Sequence, residues 1–484
     1  MRMRWRSLRA LALCGVLAGV SACGRSTAPD GLPGPGPAIK IPLCVSNGQG
    51  PVMVGPIPSA VPGDRSRDYP WLASNLDLAA HGYVEEEYFV CGNATGGAYT
   101  TRLIVRRPRT AAAYNGTVLA EWLNVTLGYD LDALWQLSHE HIMKAGYVYV
   151  GISAQRSGIY DTPNGLQAWS PKRYAQLSIP QGSAMDGSFV FDPAAYDIYG
   201  QALRLLRQPG AVDPLGGLPV RWLVAAGASQ SAGTITLYYD LFQRKDNVAD
   251  GFLPFLLSLS SLMAALGYDQ QVNIDVPTLT AAVGKPLFLV NTETDPSFAP
   301  APDSDLFRLW ETAGATHLDE QGVQSLRPLV LRDLGVDLTA SDALCQYTPR
   351  SRIPFHQVLN AAMDRLLAWL QNGTPPPHGT PFQYDATGQL VRDGYGNVLG
   401  GIRLSQHAVA TAVNRRDNSG GTGCNLEGQY QPFDAATLRR LYPTHDDYVS
   451  RVVQVTEQNL SDGYINDDDA RATMAAAQSA AVPP

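Results

Sequence analysis

The segment Gly227-Ala228-Ser229-Gln230-Ser231-Ala232-Gly233 sets a serine among small residues, directly after an apolar run, Val220 to Ala226, and before a helix-forming run, Ile235 to Phe242. Where a strand turns sharply into a helix, the residue at the bend is exposed above the sheet. The bend needs small side chains two positions before and after it, because larger ones would meet the neighbouring strand and helix. Gly227 meets that need fully, and Ser231, where a second glycine usually stands, is small enough. Ser229 is therefore the expected nucleophile. Ser231 is the rival, flanked by Ser229 and Gly233, but it would put the bend two residues into the helix. Gly151-Ile152-Ser153-Ala154-Gln155 has a related spelling after a strand with no helix behind it, so context and not spelling selects Ser229.

A serine hydroxyl is a weak nucleophile until a base takes its proton and an acid orients that base. On an elbow of this kind the partners follow in the order serine, acid, histidine. The strand Pro286 to Asn291 runs into Thr292-Glu293-Thr294-Asp295-Pro296, which offers Asp295 as the acid and Glu293 as its alternative. The strand Leu306 to Trp310 leads through a glycine-containing loop to His317, the expected base. Of the remaining histidines, His356 at the start of an amphipathic helix is the alternative. His139 and His141 lie two apart on a helix, face different sides and are expected to be solvated rather than a metal pair. Acyl transfer also needs two N–H donors for the oxyanion. One is expected from Gln230, after the nucleophile, and the other from Asn124 or Val125, after the strand Thr117 to Leu123.

The elements that would hold these residues alternate along the chain. Tyr83 to Val90 and Thr101 to Arg106 read as antiparallel strands. Thr117 to Leu123, Tyr147 to Ile152, Val220 to Ala226 and Pro286 to Asn291 read as buried strands. Helices are expected at Asp132 to Lys144, Ala195 to Arg207 and Val358 to Leu370. Strands alternating with helices imply an α/β fold, a mostly parallel sheet with helices on both faces. A long connection between Gln155 and Asp192 carries Tyr160, Trp169, Tyr174 and Phe189, expected either to wall a substrate pocket or to be ordinary core. Beyond Pro377 the rhythm is lost. The organisation expected is a signal at 1–23, a Pro/Gly-rich tether at 24–50, the main domain at 51–377 and a C-terminal extension at 378–484, packed on it.

Arg2, Arg4, Arg6 and Arg9 precede an apolar stretch from Ala10 to Val20, too short to span a bilayer and typical of an export signal. It ends in Val20-Ser21-Ala22-Cys23, which resembles the lipobox of bacterial lipoproteins, with Cys23 the lipidated residue; an ordinary secretory signal cut after Ala22 is the alternative. Either way the body is expected outside the cytoplasm, lipid-anchored to a bacterial membrane or else secreted or periplasmic. Four cysteines then remain, Cys44, Cys91, Cys345 and Cys424, an even number that in an oxidising compartment implies two disulfides with three possible pairings. The 484 residues, with a net charge of -8 and no basic runs, argue against a nucleic-acid partner. No cofactor or metal is called for.

Several longer segments resemble the bacterial alpha/beta hydrolase domain proteins of the α/β-hydrolase superfamily. They include Gly82-Tyr83-Val84-Glu85-Glu86-Glu87-Tyr88-Phe89, Glu121-Trp122-Leu123-Asn124-Val125, Gly227-Ala228-Ser229-Gln230-Ser231 and Asn291-Thr292-Glu293-Thr294-Asp295. Arg308-Leu309-Trp310-Glu311 with Gly314 and His317, Gly400-Gly401-Ile402-Arg403-Leu404 and Leu441-Tyr442-Pro443 carry the likeness into the C-terminal extension. The resemblance implies the α/β-hydrolase fold and a hydrolase with Ser229 and His317 in its triad; it lends little on substrate. The residues point to a serine hydrolase acting on a small carboxylic ester. A serine amidase or peptidase on the same trio, and a non-catalytic ligand-binding lipoprotein, are the alternatives.

Overall fold

The central segments Thr117–Trp122 (β4) and Leu287–Thr292 (β8) are buried at every position. Such strands need parallel neighbours beside them and helices on both faces, since neither face meets water. The computed structural model, which describes residues 39–160, 162–180, 192–258, 276–296, 302–421 and 423–484, supplies both. The signal segment, Cys23, the start of the tether and Phe189 lie outside the described residues.

In order along the chain come β1 (Val52–Val54), β2 (Tyr83–Ala94), β3 (Gly97–Pro108), β4, β5 (Val148–Ile152), β6 (Trp222–Ala228), β7 (Gly251–Phe255), β8 and β9 (Phe307–Thr312). Among the described residues they form one nine-stranded sheet in the order β1-β2-β3-β5-β4-β6-β7-β8-β9. β1, β2 and β3 pair antiparallel, β3 meets β5 antiparallel, and every pairing from β5 through β4 to β9 is parallel. This is the α/β-hydrolase arrangement with a short extra strand at its antiparallel edge.

Successive residues of a strand face opposite sides, and the core divides accordingly. Val118, Ala120 and Trp122 of β4 face the helices Pro193–Arg207 and Gln230–Leu241; Leu119 faces Ala133–Lys144 and Phe355–Asn372. The helix Pro193–Arg207 starts sharply because Asp192 accepts the Ala194 N–H and Pro193 fills the first position.

Past Pro377 the sequence pattern fades, yet the chain is regular there. A two-stranded sheet joins β10 (Ala412–Arg415) to β11 (Gln429–Pro432), and helices span His445–Ser461 and Asp467–Ser479. Those helices are polar on average and bury only a few residues each, so they lack dense apolar runs. Contacts to the main domain are specific: Tyr464 stands edge-on to Trp310 at 5.2 Å, Asn466 donates to Asp364 at 3.0 Å, and Ile402 bridges to Thr312 at the end of β9. The disulfides are Cys44–Cys91 and Cys345–Cys424. No helix among the described residues is long and apolar enough to cross a membrane.

Candidate active site

β6 ends at Ala228 and the helix Gln230–Leu241 begins two residues later, so Ser229 alone makes the turn. Its backbone sits at φ 57° and ψ -120°, a conformation that L side chains rarely adopt and that persists only where the surroundings impose it. The Ser229 N–H donates to Phe255 O of β7 at 3.0 Å, and Ser229 O accepts from Ala232 and Gly233 at 2.9 and 3.2 Å. A Cβ on Gly227 would stand 2.5 Å from Ser231 O and 2.9 Å from Ile235 Cγ1, so only glycine lets strand and helix approach this closely. Ser229 is partly exposed. Ser231, the rival nucleophile, is fully buried in the first helical turn, its hydroxyl 3.4 Å from Gln230 Oε1.

Because β6 to β9 run parallel, residues just after each of them share one edge of the sheet. Ser229 follows β6, Asp295 follows β8 and His317 follows β9. His317 Nδ1 lies 2.9 Å from Asp295 Oδ1. With Nδ1–H donating to the carboxylate, Nε2 is left as the acceptor. The second Asp295 oxygen accepts from the hydroxyls of Thr292 at 2.7 Å and Thr294 at 2.9 Å, which fixes the carboxylate plane. Burial works against the imidazolium, but the Asp295 charge and hydrogen bond outweigh it and hold His317 above the ordinary histidine range. Sequence reasoning missed the two threonines, although their places flanking Glu293 were in view.

Glu293, the alternative acid, does not approach the histidine ring. It is fully buried, pairs with Arg392 at 2.7 Å, and accepts the N–H groups of Gly314 at 3.1 Å and Arg416 at 3.3 Å. Burial raises its carboxyl above the ordinary range even beside Arg392. It is a strut between the acid loop, the histidine loop and the C-terminal extension.

Of the two expected oxyanion positions after β4, Asn124 is otherwise engaged. Its N–H donates to Leu131 O at 3.0 Å, while its side chain donates to Ala228 O at 2.9 Å and accepts from the Thr126 N–H at 2.9 Å. It therefore ties this loop to the residue before Ser229. The Val125 N–H has no acceptor among the described residues. Gln230 is the first residue of its helix, where backbone N–H groups lack intrahelical partners.

The other histidines depart from expectation in instructive ways. His139 is buried, its Nδ1 3.2 Å from Trp135 O, and His141 lies 3.0 Å from Asp364; neither is simply solvated. His356, the alternative base, pairs with Asp319 at 3.1 Å. In the connection after β5, Trp169 and Tyr174 are core residues, donating to Asp333 O and Glu87 at 3.1 and 2.8 Å. Tyr160 is partly buried against Arg156 and Ile179. No group of three or more His, Cys, Asp or Glu that could hold a metal ion occurs among the described residues.

The strand order, the strained turn after β6 and the edge it shares with the imidazole–carboxylate pair define an α/β hydrolase. The alpha/beta hydrolase domain family matches residues 53–475, and the chain belongs to that family. Similar solved structures include esterase Est22, 12% identical over 54% of this chain and 73% of that one at a TM-score of 0.29. Another is a thermostable esterase from Pseudomonas putida ECU1011, 12% identical over 46% of this chain and 67% of that one at a TM-score of 0.28. Likenesses this distant carry no argument about substrate. No curated protein matches the chain.

Proposed function

We propose that this is an exported, lipid-anchored carboxylic ester hydrolase that works through an acyl-enzyme on Ser229. As the Ser229 hydroxyl attacks the ester carbonyl carbon, its proton passes to His317 Nε2, and Asp295 holds the Nδ1–H so that the imidazolium is stabilised in place. The tetrahedral oxyanion is met by the N–H groups of Gln230 and Val125. Collapse expels the alcohol, which takes the proton from His317. Water then attacks the acyl carbon, His317 receives its proton and returns one to the Ser229 oxygen, and the carboxylic acid leaves. The observation that carries this reading is the 2.9 Å His317–Asp295 pair on the sheet edge that also presents Ser229 at φ 57°.

Export and anchoring are supported by the basic and apolar N-terminus ending in Val20-Ser21-Ala22-Cys23, and by two disulfides, which persist in oxidising compartments. The deciding experiment gives a fluorophosphonate probe and aryl esters of graded acyl length to wild type and Ser229→Ala together. The wild type labels and hydrolyses; Ser229→Ala does neither. Equal labelling of Ser229→Ala overturns the assignment, and an amide substrate turned over faster than its matched ester would make the enzyme an amidase. Membrane fractionation of Cys23→Ala tests the anchor: the variant is expected in the soluble fraction.

A further inference from the structure

The loop that carries His317 is tied to the acid loop, where the Glu293 N–H donates to Ala315 O at 3.0 Å, and also to later parts of the chain. Ala313 N–H donates to Ile402 O at 2.9 Å, and Leu318 N–H, one residue past the histidine, donates to Leu426 O at 3.1 Å. Ser351 donates its hydroxyl to Gly314 O at 2.6 Å and its N–H to Glu427 O at 3.1 Å. Gly428 packs so closely on Thr316, beside His317, that a Cβ there would stand 2.4 Å from Thr316 Cγ2. Leu426, Glu427 and Gly428 thus form a hook around residues 314–318, and the hook begins at Cys424, whose partner is Cys345.

Beside that bond the two segments it joins are also tied by side chains: Asn418 donates to Tyr347 O at 2.9 Å and to Gly428 O at 2.6 Å and accepts the Tyr347 N–H at 3.1 Å, and the Ser419 hydroxyl donates to Gln346 Oε1 at 2.6 Å. Gln346 N–H donates to Ser419 O at 2.7 Å and Gly421 N–H to Leu344 O at 3.0 Å. Cys345 is partly exposed and follows Leu344, which is 66% exposed, while Cys424 is buried. The extension as a whole has separate attachments at Ile402, Tyr464 and Asn466. Cys44–Cys91, by contrast, fastens the segment before β1 to β2 at the antiparallel side of the sheet.

We infer that the Cys345–Cys424 disulfide is a positioning element for His317: intact, it holds the Cys424–Gly428 hook on the base loop, and opening it releases the imidazole from its register while the fold stands. The inference rests on the acyl-enzyme reading above. It makes turnover depend on oxidation through one bond of the two. Opening is a two-electron reduction: the S–S bond breaks, two thiols form, and a phosphine reductant becomes its oxide with oxygen taken from water.

The test uses the full chain carrying Cys44→Ser and Cys91→Ser, so that Cys345–Cys424 is the disulfide left in the described body. This variant is expected to keep wild-type kcat, KM and pH profile on a short-chain aryl ester. Reduction with a phosphine should then lower kcat by about 10- to 100-fold, the scale of lost alignment of a reacting group. KM should stay within about 2-fold and the midpoint of the acid limb should fall toward the ordinary histidine value, about 6.5. Reoxidation should restore all three. Cys345→Ser with Cys424→Ser should reproduce the reduced state; the reduction experiment reads the same quantities if that variant does not fold. A fully reduced enzyme with unchanged kcat and midpoint overturns the inference. So does loss of the near-ultraviolet circular dichroism signal along with activity, since the bond would then hold the fold and not the loop. Ser229→Ala in the same assay separates the two readings. If it hydrolyses as wild type does, the acyl-enzyme reading fails; if it is inert while reduction changes nothing, the disulfide inference fails alone.

Discussion

Two of the imidazole–carboxylate pairs in this chain, His317–Asp295 at 2.9 Å and His356–Asp319 at 3.1 Å, are alike in that burial lowers each histidine but the partner carboxylate outweighs it and raises both. What separates them is the use of the remaining lone pairs. Asp319 caps the helix Glu320–Leu334, accepting from Gln321 and Gly322, and also accepts the His356 N–H at 3.3 Å. The charge and ring hydrogen bond of His356, together with these backbone donors, hold it below the ordinary carboxylate range despite its burial. Asp295 instead takes two side-chain hydroxyls from its own loop and gives its other oxygen to the ring. One pair closes a helix end; the other follows strands of the parallel sheet whose ends also present Ser229. A short His–Asp distance alone does not mark a base. The element that delivers it does.

The sharpest way to break this comparison is to remove one ring from each pair. His317→Ala should cost about 10⁴- to 10⁶-fold in kcat, the range for losing the base of a serine triad, whereas His356→Gln should leave kcat within about 2-fold of wild type; steady-state kinetics on one aryl ester checks both, and the reverse result would exchange their roles. Asp295→Asn should lower kcat by about 10³- to 10⁴-fold. Because Asp295 is what holds His317 up, the residual activity should show its acid limb at lower pH than wild type, where kcat rises as the base loses its proton above the ordinary histidine value.

Asn124→Ala should cost about 10-fold in kcat with little change in KM, since it frees the oxyanion loop from Ala228 without removing an N–H donor. The smallest effect is on stability. His356 titrates above its unfolded value, so its contribution is complete below about pH 6.5 and is lost as pH rises through the folded value; Asp319 titrates below its own, so its contribution is complete above about pH 3.9 and is lost as pH falls. His356→Gln should lower stability by about 1 kcal/mol near pH 6 and flatten the loss expected of wild type as pH rises above about 6.5, read from urea midpoints.

The strands that build the sheet were legible because they are buried on both faces, so their apolar runs survive in the sequence: the expected strand Pro286 to Asn291 appears as Leu287–Thr292, and Val220 to Ala226 as Trp222–Ala228. The elbow was legible because only small residues fit where Gly227 meets Ser231. Less could be read where geometry depends on distant chain. Glu293 and Asp295 sit two apart on one loop and look equivalent in sequence; what divides them is Arg392, which arrives from the extension to occupy Glu293. Asn124 and Val125 are likewise adjacent, and the bond to Leu131 that spends the Asn124 N–H is a property of the folded loop. The C-terminal helices escaped notice because they are polar on average and bury few residues each, so no dense apolar run marks them in the sequence.

The segment that crosses outside β9 has a further effect. Pro376 and Pro377 accept from Arg308 and Trp310 at 2.6 and 2.9 Å, a Cβ on Gly379 would meet Leu309 O at 2.5 Å, and Ile402 bonds on both sides to Glu311 and Ala313. The far border of the sheet is the three-residue β1. Neither flank therefore offers a long ladder of open peptide groups to a sister molecule. Crowded side by side at high local density, such molecules are shielded from zipping together strand to strand.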